Sequence, residues 1–146
     1  MATRTASGSV VVAAPPAEVF ALLADPRRHA EIDGSGTVTR VLDAPDRLEL
    51  GSRFSMAMEM GAKYTVTNRV VEFEPERRIA WRHVGLHRWR YELEPLDGGT
   101  RVTETWDGTR YPGPVFLVLR AMGFPGKAER GIAGTLRRLE ERFGTQ

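Results

Sequence analysis

The sequence predicts an α+β domain. A curved, seven-stranded antiparallel sheet wraps around one long C-terminal helix, and two short helices follow the first strand. Three observations carry that expectation. Between Leu50 and Asp107, large apolar side chains alternate with polar ones, the period of a sheet with one buried and one wet face. The links between these runs are short and contain glycine or proline, which favours antiparallel hairpins. From Lys127 to Phe143, the residues Ile132, Leu136, Leu139 and Phe143 recur at helical spacing and form one apolar stripe.

Gly8 to Ala13 reads as the first strand. Pro15 and Pro16 open a helix, since a proline in the first turn lacks only an N–H that would go unpaired anyway. Val19, Phe20, Leu22 and Leu23 form its apolar side. Asp25-Pro26 ends it and starts a second short helix, with Asp25 as cap. Asp33 to Gly36 is a turn, and Thr37 to Leu42 a second strand. The remaining strands fall at 51–59, 63–73, 78–84, 88–95 and 100–107. Tyr111 to Pro114 ends the sheet and starts a helix at Val115, which the run Gly123 to Gly126 must break or kink. The last helix spans 127–143, and no composition shift divides residues 1–146 into more than one domain.

The inward parity of the strands is unusual. Phe54, Met56, Met58 and Met60 share a face, as do Ile79, Trp81 and His83, then Trp89, Tyr91 and Leu93, then Val102, Glu104 and Trp106. Large aromatic and thioether groups with scattered polar ones suit a ligand cavity better than a tight core. One helix about 10–12 Å across cannot fill a broad concave sheet, so the remaining space becomes a cavity.

Composition excludes several function classes. The chain has no cysteine, so disulfides and thiol chemistry are absent. Its net charge is +2, nearly all of the positive charge is arginine, and acids are interleaved with it. That pattern lacks the massed basic stripe of a nucleic-acid binder. The start of the chain lacks an apolar signal core, and the apolar stretch from Val115 is too short to span a bilayer. A soluble cytoplasmic protein without stable membrane insertion is expected.

The stretches SVVVAAPPAEVFALLADPRRH (Ser9 to His29), RWRYELEPLDGGTRVTETW (Arg88 to Trp106) and GIAGTLRRLEERF (Gly131 to Phe143) resemble the START-like, Bet v 1-like SRPBCC superfamily. These are the helix-grip proteins of polyketide cyclase/dehydrase and lipid-transport type. The resemblance covers essentially the whole chain. One departure stands at Glu31-Ile32-Asp33-Gly34, where relatives commonly carry a tryptophan. The resemblance implies binding of a small hydrophobic molecule (a lipid, an isoprenoid or an aromatic polyketide-like compound) in a cavity between sheet and C-terminal helix. It equally admits a cyclase/dehydratase enzyme using that cavity, or a protein-interaction module, because the fold hosts all three. The sequence leaves open whether a reaction is catalysed.

The candidate ligand-binding residues are Phe54, Met56, Met58, Tyr64, Asn68, Trp81, His83, Trp89, Tyr91, Glu104, Trp106, Phe116, Leu119 and Arg120. His83, Glu104 and Tyr91 are the candidates for proton handling. An inward carboxylate such as Glu104 must be paired, raised in pKa or used on a ligand. Arg120, alone in an apolar helix, either reaches the cavity or snorkels to solvent. His83 and His87 flank a turn with no third ligand, so no metal site is expected and no cofactor is implied. Prolines and glycines bound the 111–126 segment, which reads either as a lid carrying Phe116 and Leu119 or as a homodimer contact.

Overall fold

The computed structural model of the chain describes residues 4–34, 38–59, 61–82 and 85–144. Strand β1 (Thr5–Val12) leads through Pro15 into helix α1 (Pro16–Leu23). A 3-10 turn (Pro26–Arg28) and the one-turn helix α2 (His29–Ile32) follow. The Asp25 carboxylate caps that turn by accepting the Arg27 N–H at 3.0 Å. Then come β2 (Val38–Asp43), β3 (Arg53–Glu59), β4 (Lys63–Glu74), β5 (Arg78–Arg82), β6 (Arg88–Leu96) and β7 (Gly99–Asp107). Helices α3 (Gly113–Ala121) and α4 (Phe124–Phe143) follow the sheet.

The seven strands form one antiparallel sheet in the order β1-β7-β6-β5-β4-β3-β2. β2 to β7 pair as successive neighbours, and β1 returns to pair along the free side of β7. The tightest hairpin turns at Asp97-Gly98, where Gly98 takes φ 75°. The first strand begins at Thr5 rather than Gly8, because Thr5, Ala6 and Ser7 complete the ladder to Asp107, Trp106 and Thr105. The last helix begins at Phe124 rather than Lys127. Gly123 alone makes the break, at φ 82°, and Pro125 sits in the first turn of α4 where its ring is tolerated.

The closed end of the concave face holds the core. Phe54, Met56, Val70, Ile79, Leu93 and Val102 from the sheet meet Val19, Leu22 and Leu23 of α1. Ile132, Leu136 and Leu139 complete it from α4, as the apolar stripe requires. α4 packs chiefly along β1 and β7. Gly8 permits that approach, since a Cβ there would lie 3.1 and 3.2 Å from Leu136 and Ile132. Gly34 and Gly134 do the same for the loop after α2. A Cβ on Gly134 would stand 2.9 Å from the Gly34 backbone. The result is the helix-grip architecture expected from the sequence.

Candidate functional site

Two rows of inward side chains cross the sheet side by side. In one, Ala6, Trp106, Trp89 and Trp81 are successive cross-strand partners. In the other, displaced by two residues along each strand, Gly8, Glu104, Tyr91 and Ile79 are partners. The tryptophan row lies toward the open end of the sheet. Trp106 is buried there, its ring 6.2 Å from Phe116 of α3. Trp81 and Trp89 are only half-buried. Met58 and Val66 also face inward yet remain half-buried, and Tyr64 is 40% exposed. Inward-facing side chains that still meet solvent mark a part of the concave face that the described helices cover only in part.

The wall of this open end is an aromatic cluster. Trp81 stacks on His29 at 4.8 Å between ring centres and lies 5.6 Å from both Phe54 and Tyr91. His29 Nε2 donates to the Leu23 carbonyl at 2.8 Å, which fixes its tautomer. Burial pushes its pKa below the ordinary histidine value, so the ring is neutral. On the far side, His87 lies 5.4 Å from Trp106 and edge-on to Trp89, with Nδ1 2.8 Å from the Tyr111 hydroxyl.

One row deeper lies the polar centre. Glu104 is 4% exposed and faces Tyr91 across the β6–β7 ladder. The Tyr91 hydroxyl interacts with its carboxyl, and Thr135 of α4 with the Tyr91 hydroxyl. Thr135 Oγ1 in turn accepts the Gly34 N–H at 2.9 Å. The loop after α2, the grip helix and the sheet therefore converge near one carboxyl group. Yet Glu104 Oε1 is buried with no hydrogen-bond partner among the described residues. Burial raises the Glu104 pKa to about 8. The Tyr91 hydrogen bond opposes that rise, and the Asp33 carboxylate adds to it. Burial, with Glu104 beside it, also pushes the Tyr91 phenol well above its ordinary value. At neutral pH the centre is a protonated carboxyl beside a neutral phenol, able to donate or accept a hydrogen bond or deliver a proton.

The expected site residues divide by position. Met58, Trp81, Trp89 and Tyr64 border the open concave surface, and Tyr91 and Glu104 form the polar centre behind it. Phe54, Met56 and Asn68 are buried, with Phe54 edge-on to both Trp81 and His29. Trp106 and Phe116 pack on each other, Leu119 is half-buried and Arg120 is exposed. His83 and Met60 lie outside the described residues. Sequence reasoning missed His29, Asp33 and Thr135. Thr135 carried a signal, as the polar member of the buried stripe Ile132, Leu136 and Leu139. His29 carried none, because its stacking on Trp81 exists only after the chain folds back. Among the described residues, no three histidine or carboxylate side chains gather as metal ligands.

Sheet, grip helix and inward-lined face define a helix-grip domain with an open concave surface. The chain belongs to the family described as polyketide cyclase/dehydrase and lipid transport, whose model matches residues 3–144. It is 44% identical over 143 residues to the uncharacterized protein Rv0088 of Mycobacterium tuberculosis, covering 94% of this chain and 63% of that protein. The chain thus spans less than two thirds of that relative's length. Protein CV1439 from Chromobacterium violaceum has a similar structure, with TM-score 0.73 and 23% identity over 97% of this chain and 99% of that one. The Polyketide_cyc-like protein Cgl2372 from Corynebacterium glutamicum gives TM-score 0.62 and 23% identity over 98% and 91% of the two chains. At such identity the two structures bear on the fold alone.

Proposed function

We propose that the protein binds a small, mostly apolar molecule bearing one hydrogen-bonding oxygen, such as a lipid, an isoprenoid or an aromatic polyketide-like compound. The apolar body lies against Trp81, Trp89 and Met58, and the oxygen reaches Glu104. The observation that carries this reading is the unpartnered, buried Oε1 of Glu104 directly behind an aromatic surface open to solvent. A buried polar atom left without a partner costs about 1–3 kcal/mol, a cost that a ligand's polar group removes. The family description, which joins polyketide chemistry and lipid transport, supports the same ligand class.

Titration with an apolar fluorescent probe tests the reading. Saturable binding that perturbs tryptophan emission, and that weakens in Trp89→Ala, is expected. Lipid or aromatic compounds should compete, and nucleotides should not. No saturable binding, or binding indifferent to Trp89→Ala, would refute it.

A second reading, a cyclase or dehydratase on the same surface, is favoured by the proton that Glu104 keeps at neutral pH. It requires turnover of a polyketide-like substrate that Glu104→Gln abolishes while probe binding persists. Equal turnover by that variant would remove the enzyme reading and leave the binding one.

A further inference from the structure

We infer that α3 and the start of α4 form a docking surface for an anionic phospholipid bilayer. α3 has nine residues and buries one of them, Phe116. Leu117 and Val118 are 63% and 59% exposed, and Val115 is exposed beside them. Met122 and Phe124 extend the same apolar surface into α4. A short helix that is apolar all round cannot satisfy itself against one sheet edge, and an apolar patch of this kind calls for a partner.

The charges around the patch select the partner. From Gly108 to Arg130 the chain carries Arg110, Arg120, Lys127 and Arg130 against Glu129 alone. Arg110 is engaged with Asp107. Arg120, Lys127 and Arg130 make no ion pair among the described residues. Lys127 Nζ sits 5.6 Å over the Phe124 ring, a cation held at the margin of an apolar group as in a side chain that snorkels. An apolar helix rimmed by unpaired cations fits the boundary of a bilayer with negative headgroups. A second copy fits less well. A two-fold contact through α3 would bring two positively charged rims together.

The contact is one of surface attachment. No helix among the described residues is long and apolar enough to cross a membrane. Gly123, in the left-handed region at φ 82°, makes the break between α3 and α4. The patch also adjoins the open concave surface, because Phe116 packs on Trp106 and Trp106 on His87 beside Trp89. The docking surface nonetheless stands on α3 and the start of α4 and does not depend on what Glu104 binds.

Vesicle co-sedimentation tests it, with vesicles of phosphatidylcholine alone and of phosphatidylcholine mixed with phosphatidylglycerol. Binding to the mixed vesicles that falls with added salt is expected, with little to phosphatidylcholine alone. Leu117→Glu with Val118→Glu should weaken it by about tenfold or more, since each leucine or valine kept in water forfeits its transfer energy. Leu117→Ser should weaken it less, and Arg120→Glu should remove the preference for phosphatidylglycerol. Arg69→Glu, an exposed change on the opposite face of the sheet, should leave binding unchanged. Circular dichroism would verify that each variant is folded. No binding to the mixed vesicles would overturn the inference, as would binding indifferent to the α3 substitutions. A concentration-dependent dimer abolished by Leu117→Glu with Val118→Glu, without vesicle binding, would assign the patch to a second copy instead.

Discussion

Glu104 and Asp107 stand three residues apart on β7, both buried, and point to opposite faces of the sheet. Their environments are opposites. Asp107 accepts hydrogen bonds from the Thr109 N–H and hydroxyl at 3.0 and 2.6 Å and from Arg90 at 2.9 Å, with Arg110 at 3.3 Å. Burial alone would raise its pKa, but the Thr109 and Arg90 hydrogen bonds outweigh burial and hold it well below the usual carboxylate range. Across the convex face, Arg90 and then Arg88 hold Glu72 down to about 2. Glu104 has a phenol beside it, a second carboxylate nearby and one oxygen without a partner, so burial prevails and its pKa rises to about 8. The same strand therefore surrounds one carboxylate with cations and gives the other none among the described residues. A carboxyl serving architecture alone would be expected to have the arginine that Asp107 has. Its absence on the concave face fits a group that meets something from outside the chain.

The convex side should give the larger effect when broken. Arg90→Ala leaves Glu72 and Asp107 desolvated without their shared cation, and should cost about 2–3 kcal/mol by urea unfolding at pH 7. The figure sits below that of a fully buried pair because Arg90 and Glu72 retain 16% and 17% side-chain exposure. The pH dependence follows from the direction of the shifts. Glu72 and Asp107 are depressed when folded, so they contribute stability above their ordinary values and lose it as pH falls from about 4.5 toward 2. Arg90→Ala should flatten that acid limb. A cost under about 0.5 kcal/mol would class the cluster with ordinary surface pairs.

The concave side should respond with the opposite sign. The folded pKa of Glu104, about 8, lies above its ordinary 4.5. The protonated form therefore contributes stability that is complete below about 4.5 and is lost as pH rises through 8. Glu104→Gln keeps the shape and discards the charge. It should be neutral at pH 4 and more stable than the parent by about 1–3 kcal/mol at pH 9, again by urea unfolding. Loss of stability at pH 9 would mean that the carboxylate has a cationic partner, and would erase the contrast with Asp107.

These two carboxylates also mark how far the sequence could be read. Alternation around Val102 and Trp106 placed Glu104 inward, because strand parity is a local property. The same parity placed Trp81, Trp89 and Tyr91 on the concave face. That Glu104 faces Tyr91 rather than Trp89 depends on the β6–β7 register, and register depends on the turn at Asp97-Gly98 taken together with the whole sheet. Thr135 beneath the grip helix was legible as a polar break in an apolar stripe. Asp33 was not, because its place near Glu104 follows from the backbone contact of Gly34 with Gly134, distant in sequence. The bounds of α4 were misplaced where two local rules competed. Pro125 discourages a helix interior, yet in the first turn after Gly123 it is tolerated.

The finest test of the contrast is Tyr91→Phe, which removes one oxygen and little else. Tyr91 is the neighbour that lowers the Glu104 pKa against burial. Without it the carboxylate form loses its donor, and the Glu104 pKa should climb further by roughly half a unit to one unit. Carbon-13 titration of the Glu104 carboxyl would read the shift directly. In unfolding experiments the alkaline loss of stability should move to higher pH by the same amount, while the acid limb set by Glu72 and Asp107 stays in place. Thr135→Val acts one bond further away, through the hydroxyl of Tyr91, and should move the midpoint less. A midpoint that falls in Tyr91→Phe would mean that water or another donor replaces the phenol at Glu104. The concave face would then be wetter than its aromatic wall implies, and the buried carboxyl less in need of a ligand.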